Sequence, residues 1–211
     1  MALDYMRDPT AIYRHSFAII REEVDFSSLT ADQAVIATRV IHACGMTDAL
    51  ADLVFHGDVA AATRRALDDG RPVLVDVEMV RAAVSTQVLP QDVQVRCTLN
   101  DPEVKEQAAQ FGTTRSAMAV SHWRAHLEGA IAVIGNAPTA LFALLEMIDQ
   151  GGPVPAAVFA FPVGFVGAEE SKAELIASPR GLNFVTLKGR RGGSAIAAAA
   201  FNAVLVGARD K

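Results

Sequence analysis

The sequence predicts an α/β sandwich on a five-stranded parallel sheet, and three observations carry that expectation. Short β-rich runs recur at 72–77, 93–99, 131–135, 156–161 and 184–188, mostly apolar on consecutive residues, as suits strands covered on both faces. A helix-length segment follows each run, which is what a parallel connection requires. The 211 residues, 51% hydrophobic and 20% charged, can bury one substantial core and are short for two, so a single domain over 1–211 is expected.

Two helices, 8–23 and 30–44, precede the first strand. The second has the clearer signals: Thr30 can cap the amide of Gln33 while Gln33 reaches back, and Gly45 is suited to end it in a left-handed conformation. At about 100° per residue, Ala37, Val40, Ile41 and Cys44 form the apolar stripe, and His42 shares another face with Val35, Thr38, Arg39 and Met46. That imidazole is either a solvated or locally bonded histidine or a catalytic one, and it points away from the core stripe. In the first helix, Ser16 interrupts a face made by Ile12, Tyr13, Ile19 and Ile20; its hydroxyl needs either a ligand or the carbonyl four residues back.

Helices are expected next at 58–69, 103–111, 115–128, 138–150, 168–177 and 193–205, with Pro138 at a helix start, where its missing N–H costs nothing. Ligands of an open parallel sheet collect at the carboxyl ends of its strands. Here those ends read Asp76-Val77-Glu78, Gly135-Asn136-Ala137-Pro138-Thr139, the loop 161–167 and Lys188-Gly189-Arg190-Arg191-Gly192-Gly193-Ser194. The last loop pairs bare amides with two guanidinium groups beside a helix start, a pattern that accepts anions; alternatively Gly192-Gly193 permits tight packing. Neither G-x-G-x-x-G nor Gly-Lys-[Ser/Thr] occurs, so a carboxylate is a better candidate than a nucleotide phosphate.

Net charge of −5 with no basic tract argues against nucleic acid and against a polybasic membrane anchor, and favours small-molecule chemistry in the cytoplasm. No apolar run reaches spanning length. Cys44 and Cys97 are too few for a disulfide framework and read as small buried hydrophobes. His122 and His126 stand one helical turn apart, but no carboxylate follows at ligand spacing, so no metal is expected. A nucleophile elbow is absent too.

With these residues in view, the chain resembles the precorrin-8X methylmutase family of cobalamin biosynthesis. The resemblance runs the whole length and rests on the segments 13–21, 40–45, 112–117, 134–141, 162–172 and 189–194. It implies a cofactor-independent isomerase that moves a methyl group from C-11 to C-12 of a corrin precursor, giving hydrogenobyrinic acid. Also implied are a three-layer, flavodoxin-like fold, a homodimer with sites near its interface, and a catalytic histidine that matches His42. The substrate would be a macrocyclic polycarboxylate, bound by Tyr13, Ser16, Arg39, Met46, Ser85, Thr86, Arg115, Ser116, Asn136, Val163, Gly164, Phe165, Lys172 and Arg190. A sigmatropic shift needs a held conformation and a proton that polarises the conjugated system, not a nucleophile or a metal. One block departs from the family pattern: where a threonine and then a basic residue are expected, the chain has Ser85-Thr86, which puts one carboxylate contact in doubt. The same rearrangement on a cobalt-containing precursor, and a non-catalytic tetrapyrrole carrier, are the rival readings.

Overall fold

Six strands form one sheet in the order β1-β6-β5-β4-β2-β3. The computed structural model describes residues 3–207. Strands β2 (Val73–Val75), β3 (Val95–Cys97), β4 (Ile131–Ile134), β5 (Ala157–Ala160) and β6 (Phe184–Leu187) are parallel and coincide with the five expected runs. The expected five-strand count needs a correction: β1 (Leu53–His56) adds a sixth strand, antiparallel to β6. It is four residues long on the sheet edge, with one side chain exposed and three half-buried, so it has neither the apolar saturation nor the alternation that would mark it.

Helices α1 (Pro9–Glu23) and α2 (Ala31–Cys44) precede β1, and α3 (Val59–Asp68) follows it. The others are α4 (Glu78–Ala83), α5 (Val104–Gln110), α6 (Arg115–Ser121), α7 (Pro138–Asp149), α8 (Ala168–Ala177) and α9 (Ser194–Gly207). The expected helix 115–128 stops at Ser121. Beyond it the backbone closes i→i+3 turns, and the buried Trp123 turns its indole N–H to Thr98 Oγ1 at 3.1 Å.

Strand residues alternate between two cores. Val73, Val75, Ile131, Val133 and Phe159 pack with α2, α3, α4 and α9. Leu74, Ala132, Ile134, Val158 and Ala160 pack with α6, α7 and α8. That is the three-layer arrangement. Helix α1 stands outside it, packed on α2, with Ile20 its one buried residue. Among the parallel strands β2 lies between β3 and β4, so the connections diverge at the carboxyl ends of β2 and β4, where a crevice for ligands arises in such folds.

Candidate active site

His42 lies near the end of α2, and the turn that follows that helix is tied to the loop after β6. Its helix is fixed at both ends: Thr30 Oγ1 accepts from Gln33 N (3.3 Å), Thr30 N donates to Gln33 Oε1 (3.1 Å), and Gly45 turns left-handed at φ 67°. Ile36, Ala37, Val40 and Ile41 are buried, which directs His42 away from the sheet and toward α1. There Ser16 Oγ lies 2.9 Å from His42 Nδ1. The ring of Tyr13 stacks on the imidazole at 5.3 Å and Phe17 meets it edge-on at 5.2 Å. Arg39 lies with its guanidinium carbon 5.0 Å from the Phe17 ring centre and 5.8 Å from that of Tyr13.

The imidazole is therefore held on its flanks and at Nδ1, which leaves Nε2 for a ligand. When Ser16 donates to Nδ1, the neutral ring carries its proton on Nε2. A cavity of about 470 Å³ opens beside it, lined by Met6, Ile12, Ser16, Ile19, Ile41 and His42 among others. The hydroxyl of Ser16 thus has the histidine as its partner rather than the carbonyl four residues back.

The loops of the carboxyl edge are tied to one another. Val163 N donates to Asn136 O (3.2 Å), Gly164 N to Arg190 O (3.2 Å) and Gly193 N to Phe161 O (2.9 Å). No Cβ fits at Gly192, where it would stand 2.4 Å from the Phe161 carbonyl oxygen, so the close-packing reading of Gly192 holds. Phe165 is 84% exposed, with the Arg190 guanidinium 5.5 Å from its ring centre. Arg191 crosses to the 3-10 turn after α2, where it pairs with Asp48 at 2.8 Å and with Asp52. Lys188 N also donates to Asp52 O at 2.9 Å. These bonds join the loop after β6 to the segment that follows His42.

The family's sequence profile, described as precorrin-8X methylmutase, matches residues 11–206. The chain belongs to the precorrin-8X methylmutase family. Membership makes it an isomerase of cobalamin biosynthesis that shifts a methyl group. A precorrin-8X methylmutase from Pseudomonas aeruginosa is 54% identical over 96% of this chain and 97% of its own. One from a Sinorhizobium species is 49% identical over 95% of this chain and 96% of its own. A solved precorrin-8X methyl mutase from Thermus thermophilus superposes with a TM-score of 0.85 at 34% identity, covering 95% of this chain and 97% of the other.

Around His42 the expected binding residues fall into three groups. Tyr13, Ser16 and Arg39 surround His42, with Met46 just beyond the helix end, its Sδ 3.9 Å from Arg191 Nη1. Asn136, Val163, Gly164, Phe165 and Arg190 share the linked loops. The rest stand apart. Arg115 is exposed, but Nη2 is bonded to Leu99 O (3.1 Å) and Asn100 Oδ1 (2.9 Å), and Ser116 is half-buried behind it. Ser85 N donates to Asn202 Oδ1 at 2.9 Å, and exposed Thr86 lines a different cavity, below α4.

Lys172 does not stand at the surface as a carboxylate contact would. It is fully buried, with Nζ donating to Arg191 O at 2.6 Å. Burial lowers its pKa to about 8; Glu169 opposes that shift and Arg191 adds to it. Nor are both guanidiniums of the 188–194 loop open to anions, since Arg191 is taken by Asp48 and Asp52. His122 bonds to Gln107 Oε1 and His126 to Arg96, so the pair shares no ligand direction, and no cluster of three metal-binding side chains occurs among the described residues.

Sequence reading gave no role to two groups that matter here. Phe17 carried a signal, four residues from Tyr13 on one helix face. Asp76, 1% exposed, accepts from Gly135 N, Asn136 N and Ala137 N, each at 2.9 Å. Burial pushes its pKa up against the pull of those amides. Only its place at a strand end hinted at this.

Proposed function

We propose that this methylmutase acts on metal-free precorrin-8X, with His42 as the proton donor that polarises the ring system while the methyl group migrates from C-11 to C-12. The observation that carries the reading is the clamped imidazole, with Nδ1 bonded to Ser16, Tyr13 and Phe17 on its flanks, and Nε2 left to a ligand beside an apolar-lined cavity. A proton placed this way supports the rearrangement without a nucleophile, and general-acid help is typically worth ~10² to 10⁴ in rate. Arg39 and Arg190 supply cationic groups for peripheral carboxylates, and Val163 and Phe165 supply exposed apolar surface for the macrocycle.

The metal-free substrate is favoured by the relatives. Those at 54% and 49% identity are named precorrin-8X methylmutases, while a cobalt-precorrin-8 methylmutase from Priestia megaterium stands at 35%. Turnover measured on both precursors tests the choice: kcat/KM should be higher on the metal-free one, and the reverse order would assign the chain to the cobalt substrate.

The working unit in this reading is a homodimer in the cytoplasm. Met6, Ile12, Tyr13 and Ile19 are 48%, 44%, 49% and 39% exposed, an apolar strip on α1 and the segment before it that opens beside His42. A second copy on that strip would close the cavity wall and shield a ligand wider than one domain's pocket. No helix among the described residues is long and apolar enough to cross a membrane.

A further inference from the structure

Asp76 touches no solvent, yet it lies at the divergence point of the sheet, the place such folds reserve for ligands. Both its oxygens are used: Oδ1 accepts from Gly135 N, and Oδ2 accepts from Asn136 N and Ala137 N. These amides belong to the turn that leads into α7, whose cap position is Ala137. The turn cannot shift to compensate. A Cβ at Gly135 would stand 2.7 Å from Val80 Cγ2 and 2.8 Å from Ser194 Cα, so this backbone is wedged between α4 and α9.

From that turn a chain of backbone links runs across the carboxyl edge. Asn136 O accepts from Val163 N, and Gly164 N in the same loop donates to Arg190 O. The next residue, Arg191, accepts from the buried Lys172 Nζ through its carbonyl and reaches Asp48 and Asp52 through its guanidinium. Those carboxylates belong to the turn directly after the His42 helix. The path thus starts at one buried titratable side chain, passes a second, and ends on the turn that follows the His42 helix.

We propose that Asp76 is a positioning residue for the methyl shift: by fixing the turn 135–137 it sets the height of the Val163, Phe165 and Arg190 loops relative to His42. The proposal rests on the functional reading above for its link to turnover, but not for its structural content. Asp76 acts through its neighbours. The carboxylate is enclosed, so its loss leaves three amide donors without their acceptor and a space the size of a carboxylate, which formate matches.

Asp76→Ala and Asp76→Asn, with Leu74→Ala as a control that loses only packing, are compared with wild type by amide hydrogen exchange, with and without formate, and by turnover of precorrin-8X. Asn keeps the volume of the side chain but sets an NH₂ group against an N–H, so it retains the fold where Ala is too weak. Exchange at Val163 N and Gly164 N should rise in both Asp76 variants, and formate should restore protection saturably in Asp76→Ala alone. Catalytic efficiency should fall by about 100-fold, the cost of a misplacement of about 1 Å, with kcat falling more than KM rises. Unchanged exchange at Val163 and Gly164 would overturn the proposal, as would normal turnover in Asp76→Asn or an equal formate response in Leu74→Ala. A wild-type protein inactive on precorrin-8X would overturn the functional reading alone, since the exchange result stands apart from it.

Discussion

His42 is positioned by a helix that contributes a single buried residue to the core, so α1 is held largely by the contacts it makes around the imidazole and α2. Ser16→Ala should therefore leave folding intact and reduce kcat by about tenfold, the equivalent of one net hydrogen bond of ~1.4 kcal/mol, as read in single turnovers. Lys172 makes a different prediction. Its folded pKa is about 8 against an ordinary 10.5, so between those values the unfolded chain binds a proton that the folded chain has released. Stability contributed by this site must rise with pH across that window, because the charged amine is what burial penalises. Denaturant unfolding of wild type and Lys172→Met, at pH 7 and again near pH 10, should show wild type gaining relative to the variant. A constant difference would mean that the buried amine does not titrate there. His42 was legible in the sequence because a capped helix and its apolar stripe fixed its direction. The burial of Lys172 was not legible, because nothing in a helix start with Glu169 and Glu170 shows that the next turn is covered by the loop after β6.

Element by element, β2, β4, β5 and β6 were legible because each is buried along its whole length and reads as a mostly apolar run, while half-buried β3, with Arg96 at its centre, was marked only by the alternation of Val93, Val95 and Cys97. Strand β1 was not legible, since an edge strand of four residues takes its conformation from pairing with β6 rather than from its own pattern. Helix α4 is only six residues long, and its place beside α9 is set by contacts far away in the sequence, Ser85 with Asn202 among them. The linked loops of the carboxyl edge were legible as glycine-rich and basic, but not as one hydrogen-bonded unit, because their partners are backbone groups on three different strands' ends. Gly192→Ala tests how tightly that unit is closed. With a Cβ 2.4 Å from the Phe161 carbonyl oxygen and 2.5 Å from that of Pro162, the substitution should cost about 1 to 3 kcal/mol and lower Tm. An unchanged melting curve would show that the loops can part without loss.

At the scale of the whole molecule, α1 gives the core only Ile20 and the flank of Phe17, and the exposed apolar strip on that helix is what a second copy would cover. Sedimentation at micromolar concentration should give a dimer, and Ile19→Glu, which sets a charge on the strip, should give a monomer with reduced turnover; a fully active wild-type monomer would remove the dimer from the account. The conjugation of the corrin ring reports directly on the role of the imidazole. Wild type and His42→Asn are mixed with precorrin-8X and the visible spectrum is followed. Wild type should convert the chromophore to that of hydrogenobyrinic acid, while His42→Asn, folded and still able to bind, should lose ~10² to 10⁴ in rate. Conversion by His42→Asn at the wild-type rate would contradict the assignment of His42 as the proton donor.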